Sequence, residues 1–385
     1  MTRRPVHLAV EVRGAGAHPG AWRAPDSAAT RLFSPAYHLL LAQLAHRGGL
    51  DVLFLPDSFV PPGDDPGLVR GALDAVAVAA RVAPAAPRLG IVATATVTHT
   101  EPFHLSKAIA TLDFVSSGFA GWQPDVSRTA AEADLFGRKA AADAGTLWRE
   151  ADEAVEVVTA LWDSWEDDAE IRDVATGRFV DRDKLHPVGF RGEFFSVAGA
   201  SITPRPPQGH PLVVLRADEP EALAVAARRA DVVRISATHV GAAVAARTRI
   251  RDAVAAAGRD PDTVGVWLDV EVLVAPTAAQ ARERLATLDG YVRTLATVGT
   301  APLRFAGTPA GLGDLVDHAV RSGAADGITL VPLALPGGLE QIVHHAVPHL
   351  VGRGLRPERP HGSTLRERLG LARPANVFEK GGVPA

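Results

Sequence analysis

The chain has 385 residues, 47% hydrophobic and 22% charged, a globular balance with enough length to bury a large core. It has no cysteine, which excludes disulfides, thiolate metal sites and a cysteine nucleophile. Forty basic and 44 acidic residues give a net charge of −4, an even balance that argues against electrostatic nucleic-acid binding. The N-terminal apolar run is too short for a signal peptide, and no run of about 18 apolar residues suits a membrane span. The expectation is a cytoplasmic protein acting on a small molecule, without a membrane or nucleic-acid partner.

In chain order, short β-branched runs alternate with longer helical patterns. The strands are expected at 6–12, 51–55, 89–97, 118–122, 212–215, 232–235, 264–274 and 327–331. Helical stretches are expected near 34–47, 68–83, 103–112, 145–162, 219–229, 240–257, 277–297, 308–323 and 337–351. Eight strands, each followed by a helix, are what a (β/α)8 TIM-type barrel requires. A doubly wound open sheet is the competing arrangement. We read residues 1–385 as one barrel domain with two additions. A segment of about 163–211, rich in Asp, Arg, Gly and Pro, lacks a periodic apolar face and reads as a loop insertion, expected near the barrel mouth. The polar, Pro-rich stretch of about 355–385 reads as a C-terminal arm, packed on the barrel or on a partner subunit.

Conventional motifs carry little. The glycines after the first strand, Gly14, Gly16 and Gly20, have the wrong spacing for a dinucleotide loop, and Pro19 falls where the helix should begin. His345 and His349 stand four apart, but no carboxylate nearby completes a metal set, so no metal is expected. The acidic run Asp163 to Asp168 reads as a solvated helix end. More informative are the C-terminal strand ends, where barrels keep their active sites. There the second strand ends in Asp57 and Ser58, the third in Thr94 and Thr96, and the fourth in Trp122 and Gln123. A carboxylate, small hydroxyls and an aromatic plane are expected to converge on one mouth. A plain structural role for each stays open.

Several segments together are more specific. They are His18-Pro-Gly-Ala-Trp22-Arg23, Phe54-Leu-Pro-Asp57, the stretch Thr111 to Trp122, Leu161-Trp-Asp-Ser-Trp-Glu-Asp-Asp168 and Phe194-Phe-Ser196. Pro204-Arg-Pro-Pro-Gln-Gly209, Gly307-Thr-Pro309 and Thr364-Leu-Arg-Glu-Arg-Leu-Gly370 extend the set. With these the chain resembles the bacterial-luciferase-like flavin-dependent monooxygenases, in the branch of nitrilotriacetate and dibenzothiophene-sulfone monooxygenases. The resemblance implies a (β/α)8 barrel, reduced FMN used with molecular oxygen and a small organic substrate. It also implies a separate flavin reductase, for which the absence of a nicotinamide motif leaves room, and a homodimer or higher homo-oligomer.

Carried over by position, the resemblance implies cofactor contacts at Asp57, Thr94, Gln123 and Trp148, with Arg216 a further cofactor-binding candidate that could redirect the phosphate, and no assigned catalytic residue. His99 and His104 lie near the end of the third strand, with structural roles equally open. Departures are visible. Gln123 stands where the family has asparagine, and the family's HDARY segment falls on Ala144 to Trp148, its histidine replaced by alanine and its tyrosine by tryptophan. Where the family cradles phosphate with Gly and Ser at a helix N-terminus, this chain has Ala217 and Glu219. A fixed carboxylate about 4 Å from a phosphate costs roughly 1–4 kcal/mol at dielectrics between water and a protein surface. Glu219 turned to solvent would impose no such cost. The same departures keep two other readings open: a flavin-less paralogue serving as a binding or partner subunit, and a deazaflavin-dependent oxidoreductase.

Overall fold

Alternation within the strands sets the architecture, because it gives each strand one face for the barrel interior and one for the helices. The computed structural model of the protein describes residues 5–60, 67–292 and 302–379. Eight strands form the barrel: β1 (His7–Glu11), β2 (Val52–Leu55), β3 (Gly90–Thr96), β4 (Ala120–Asp125), β5 (Leu212–Arg216), β6 (Val232–Ile235), β7 (Gly265–Val274) and β8 (Gly327–Pro332). Each pairs in parallel with the next, and β8 pairs with β1, which closes the ring. The open-sheet alternative is excluded by that closure.

All eight strands lie where the alternation placed them. A further strand, Leu303–Gly307, was not expected; it pairs with the second half of β7, outside the closed ring. Its residues are mostly half-buried, so its apolar signal is weak. The helix expected over 277–297 ends at Gly290, and residues 293–297 lie outside the described residues.

The barrel interior is apolar toward the N-terminal ends of the strands and charged toward the C-terminal ends. Ala9, Val52, Val92, Leu212, Val214, Val232 and Trp267 form the apolar part. Leu365, from the C-terminal stretch, is buried in the same cluster. It plugs the lower end of the barrel so tightly that a Cβ on Gly90 would lie 2.7 Å from its side chain. Leu369 and Leu371 pack beside it.

The insertion starts and ends on the face opposite the mouth, and its middle reaches the mouth end of a long helix, where Arg149 binds Glu193. Trp162 and Asp163 end the long helix Ala144–Asp163, which descends from the mouth, and Leu212 begins β5 at the opposite end. The segment therefore interrupts a helix-to-strand connection, and both its ends sit on the N-terminal face. From there it climbs the outside of the helix, where the Glu153 carboxylate accepts the backbone N–H groups of Glu193, Phe194 and Phe195.

Its lower part is held by a buried ion pair. Asp163, 1% exposed, receives Arg205 at 2.9–3.0 Å. Arg205 and Arg373 both bind Asp167, while Asn376 donates to the carbonyls of Asp163 and Trp165. The acidic run is thus a clamp between the insertion and the C-terminal stretch, and its first member is not solvated. Asp113 plays a similar part, accepting from the backbone of Ala120 and from both the backbone and amide of Gln208.

Leu365→Ala would open a cavity at the floor of the barrel, at a cost of about 2–5 kcal/mol. A lowered urea midpoint, together with faster proteolysis after residue 355, is the expected outcome. An unchanged midpoint would show that the C-terminal stretch does not close the barrel.

Candidate active site

The charged upper layer of the barrel is built from inward positions on six strands. At its centre Arg234 of β6, 1% exposed, donates to both oxygens of Asp269 on β7 at 2.9–3.0 Å. It also reaches Glu11 of β1 at 2.7 Å and the Gln123 carbonyl oxygen of β4 at 3.0 Å. Its guanidinium lies 4.2 Å from the centre of the Phe54 ring, so an aromatic face stands in for water over the cation. Gln123 passes the network on, donating to the Thr94 hydroxyl of β3 at 3.1 Å. Arg216 of β5 binds Asp269 at 2.7 Å, Asp218 at 2.8 Å and Ser236 at 2.8 Å.

The electrostatics of this floor follow from the pairing. Burial alone would push the Glu11 carboxyl up, but Arg13, Arg234 and Arg216 overcome that and hold it well below the usual range. Above the floor, between the ends of β1, β5, β6, β7 and β8, opens a cavity of about 640 Å³. Ile235, Ile250 and Val331 give it apolar walls, and Arg249 stands at its edge without an ion-pair partner among the described residues. A second cavity of about 400 Å³ lies at the ends of β2 and β3.

The sequence-named residues divide between these places. Thr94, Gln123 and Arg216 are brought together through Arg234 and Asp269. Asp57 and Thr94 line the second cavity. There the Asp57 carboxylate accepts the backbone N–H groups of Ser58 and Ala75, at 2.8 and 2.9 Å. Burial raises its pKa, against those two bonds. Trp148 is buried at the rim, its Nε1 donating to Glu219 at 3.2 Å.

Trp122 does not face the mouth. It alternates with inward Gln123, so its ring points outward, fully buried and edge-on to Trp162 at 6.5 Å. His99 stacks on Phe136 at 4.5 Å, and its buried Nδ1 has no partner among the described residues. Burial lowers its pKa. His104 lines the second cavity. No group of three His, Asp or Glu able to hold a metal occurs among the described residues.

Glu11, Arg234, Asp269 and Arg128 escaped the sequence reading. The available signal was a charge at an inward position of an otherwise apolar strand, as in VVRI at 232–235 and VWLDVEV at 266–272. Parity shows such a charge faces inward, but only the strand register shows which opposite charges meet it.

Arg234→Met would leave Glu11 and Asp269 buried with fewer partners, a loss of about 3–5 kcal/mol. Because Glu11 is held ionised in the fold, its contribution is present above its ordinary value of 4.5 and is lost as pH falls below it. Urea midpoints measured from neutral pH down to about pH 3 should therefore fall less steeply for Glu11→Gln than for the natural protein.

Comparison with known proteins now adds to this geometry. A family model described as luciferase-like monooxygenase matches residues 12–342. N-acetyl-S-(2-succino)cysteine monooxygenase of Bacillus subtilis (strain 168) is 30% identical, over 98% of this chain and 99% of its own length. Nitrilotriacetate monooxygenase component A of Aminobacter aminovorans is 30% identical, over 95% of this chain and 96% of its own. The solved structure of EDTA monooxygenase from Chelativorans sp. BNC1 has a TM-score of 0.88 at 24% identity, covering 96% of this chain and 99% of that one, and supports the fold. Matched by the family model over most of its length, and by these relatives from end to end, the chain belongs to the luciferase-like monooxygenase family, a family of reduced-flavin-dependent monooxygenases acting on small organic substrates.

Proposed function

We propose that this chain takes reduced FMN from a separate flavin reductase and, with molecular oxygen, monooxygenates a small organic substrate. The observation that carries this reading is the cavity of about 640 Å³ at the C-terminal strand ends. That volume falls within the roughly 300–1,000 Å³ of small-molecule and cofactor sites, and its place is where barrels work. Its apolar walls over a charged floor suit a flat ring with polar edges. The rim that would take a phosphate does not fit one as it stands, because Glu219 occupies it. When bound, reduced flavin supplies the electrons that activate oxygen; the protein supplies binding, orientation and exclusion of water.

In this reading the ring edge reaches toward the smaller cavity of about 400 Å³ at the ends of β2 and β3, where Thr94 holds it with Gln123 bound behind. The Thr94 oxygen accepts from Gln123 and keeps its own O–H to donate, while Gln123 keeps one amide hydrogen. Asp57 fixes the loop after β2, near the ring or its ribityl chain, and Trp148 lines the pocket behind the rim. Arg216 belongs to the floor, since its side-chain hydrogen bonds among the described residues go to Asp269, Asp218 and Ser236. The word component in the name of the nitrilotriacetate relative favours a reductase partner. The reading places the enzyme with that reductase in the cytoplasm.

Gel filtration of the protein after incubation with FMN, oxidised or anaerobically reduced, tests the reading. Co-elution of flavin with the protein is expected, and Thr94→Val should weaken binding by about fivefold, the worth of roughly one neutral hydrogen bond. A protein that carries neither form of flavin would sink the reading.

A further inference from the structure

At the rim of the main cavity one carboxylate is received by two donors from different parts of the barrel. Glu219 lines the cavity and precedes the ten-residue helix Pro220–Arg229. It stands at the N-cap position of that helix, yet its side chain makes no capping hydrogen bond. Instead Oε1 accepts from Arg128 Nε at 2.8 Å and Oε2 from Trp148 Nε1 at 3.2 Å. Arg128 follows β4, and Trp148 lies in the first turns of the helix Ala144–Asp163. The Arg128 guanidinium also stands 5.7 Å from the Trp148 ring centre and binds Asp125 at 3.0 Å.

A guanidinium, a buried indole N–H and a helix N-terminus thus converge on one point, and each favours a negative charge there. The chain fills that point itself. We propose that Glu219 is a built-in anion that holds Arg128 and so removes the enzyme's preference for a phosphorylated flavin over an unphosphorylated one. This rests on the flavin reading above. Arg128 is the residue a phosphate monoester would take, and it takes one only when Glu219 gives it up. Neither expectation from the sequence is met in full, since Glu219 lies at the rim but is neutralised there. Arg216 is no substitute, being bound to Asp218 and Asp269.

Dissociation constants for FMN and riboflavin, measured by flavin fluorescence on the same protein, test the proposal. Their ratio isolates the phosphate from the ring. In the natural protein the two constants should agree within about fivefold. Glu219→Gln keeps an acceptor for Trp148 but drops the charge, and should tighten FMN by about 10- to 100-fold while leaving riboflavin unchanged. Adding Arg128→Gln should abolish that gain. A strong FMN preference in the natural protein, or an unchanged ratio in Glu219→Gln, would overturn the proposal while leaving flavin use standing. Failure of every variant to bind either flavin would overturn the flavin reading as well. Thermal unfolding of each variant separates loss of binding from loss of fold.

Discussion

Arg234 is a cation with almost no access to water, placed where the strands of the barrel converge. Its four hydrogen bonds tie β1, β4 and β7 to β6, and Phe54 of β2 covers its face. A buried charge of this kind is tolerated only because its partners are themselves fixed by the register of the strands. If one strand slipped by a single residue, its inward set would turn outward and the cation would be left unpaired. The network therefore favours one barrel register over its neighbours, and it gives the mouth a rigid, polar floor. The cavity above inherits its shape from that floor.

Closure at the other end has a different physical basis. There the interior is apolar, and Leu365 from the C-terminal stretch completes it. Arg366 beside it binds Asp231 and donates to the His210 carbonyl, so the plug is held by charge at its edge. Asp163, Arg205, Asp167 and Arg373 join the insertion to the same stretch. Segments distant in the chain and recognisable as motifs thus prove to be partners in one assembly on the N-terminal face. Their common purpose is structural, which leaves the mouth to ligand chemistry.

The mouth itself balances its charges internally. Glu11, Asp269, Asp218 and Glu219 each have an arginine, so a dense cluster of carboxylates is matched by cations within the barrel. A ligand entering such a site competes with existing partners, so its affinity depends on which internal pair it must open. Rim pairs, half in water, are weak enough to exchange. Floor pairs are not.

By itself the sequence determined the eight strands, their order and the barrel, because short β-branched runs alternating with helical patterns are local signals that survive without tertiary information. It also marked Asp57, Thr94 and Gln123 as strand-end residues. The extra strand Leu303–Gly307 escaped because LRFAG is short and lacks the β-branched apolar run that marks the buried strands. Trp122 was misplaced because strand ends alone do not tell inward from outward, whereas its parity with Gln123 does. Where the insertion lies was decided by connectivity: a segment between a helix and the next strand starts on the face opposite the mouth. Only the tertiary structure could bring Glu11, Arg234 and Asp269 together, since these residues are far apart in the chain and their pairing depends on barrel closure. The same holds for Glu219, whose charge was plain in the sequence. Its meaning depends on Arg128 and Trp148, 91 and 71 residues away, and electrostatics follows distance in space.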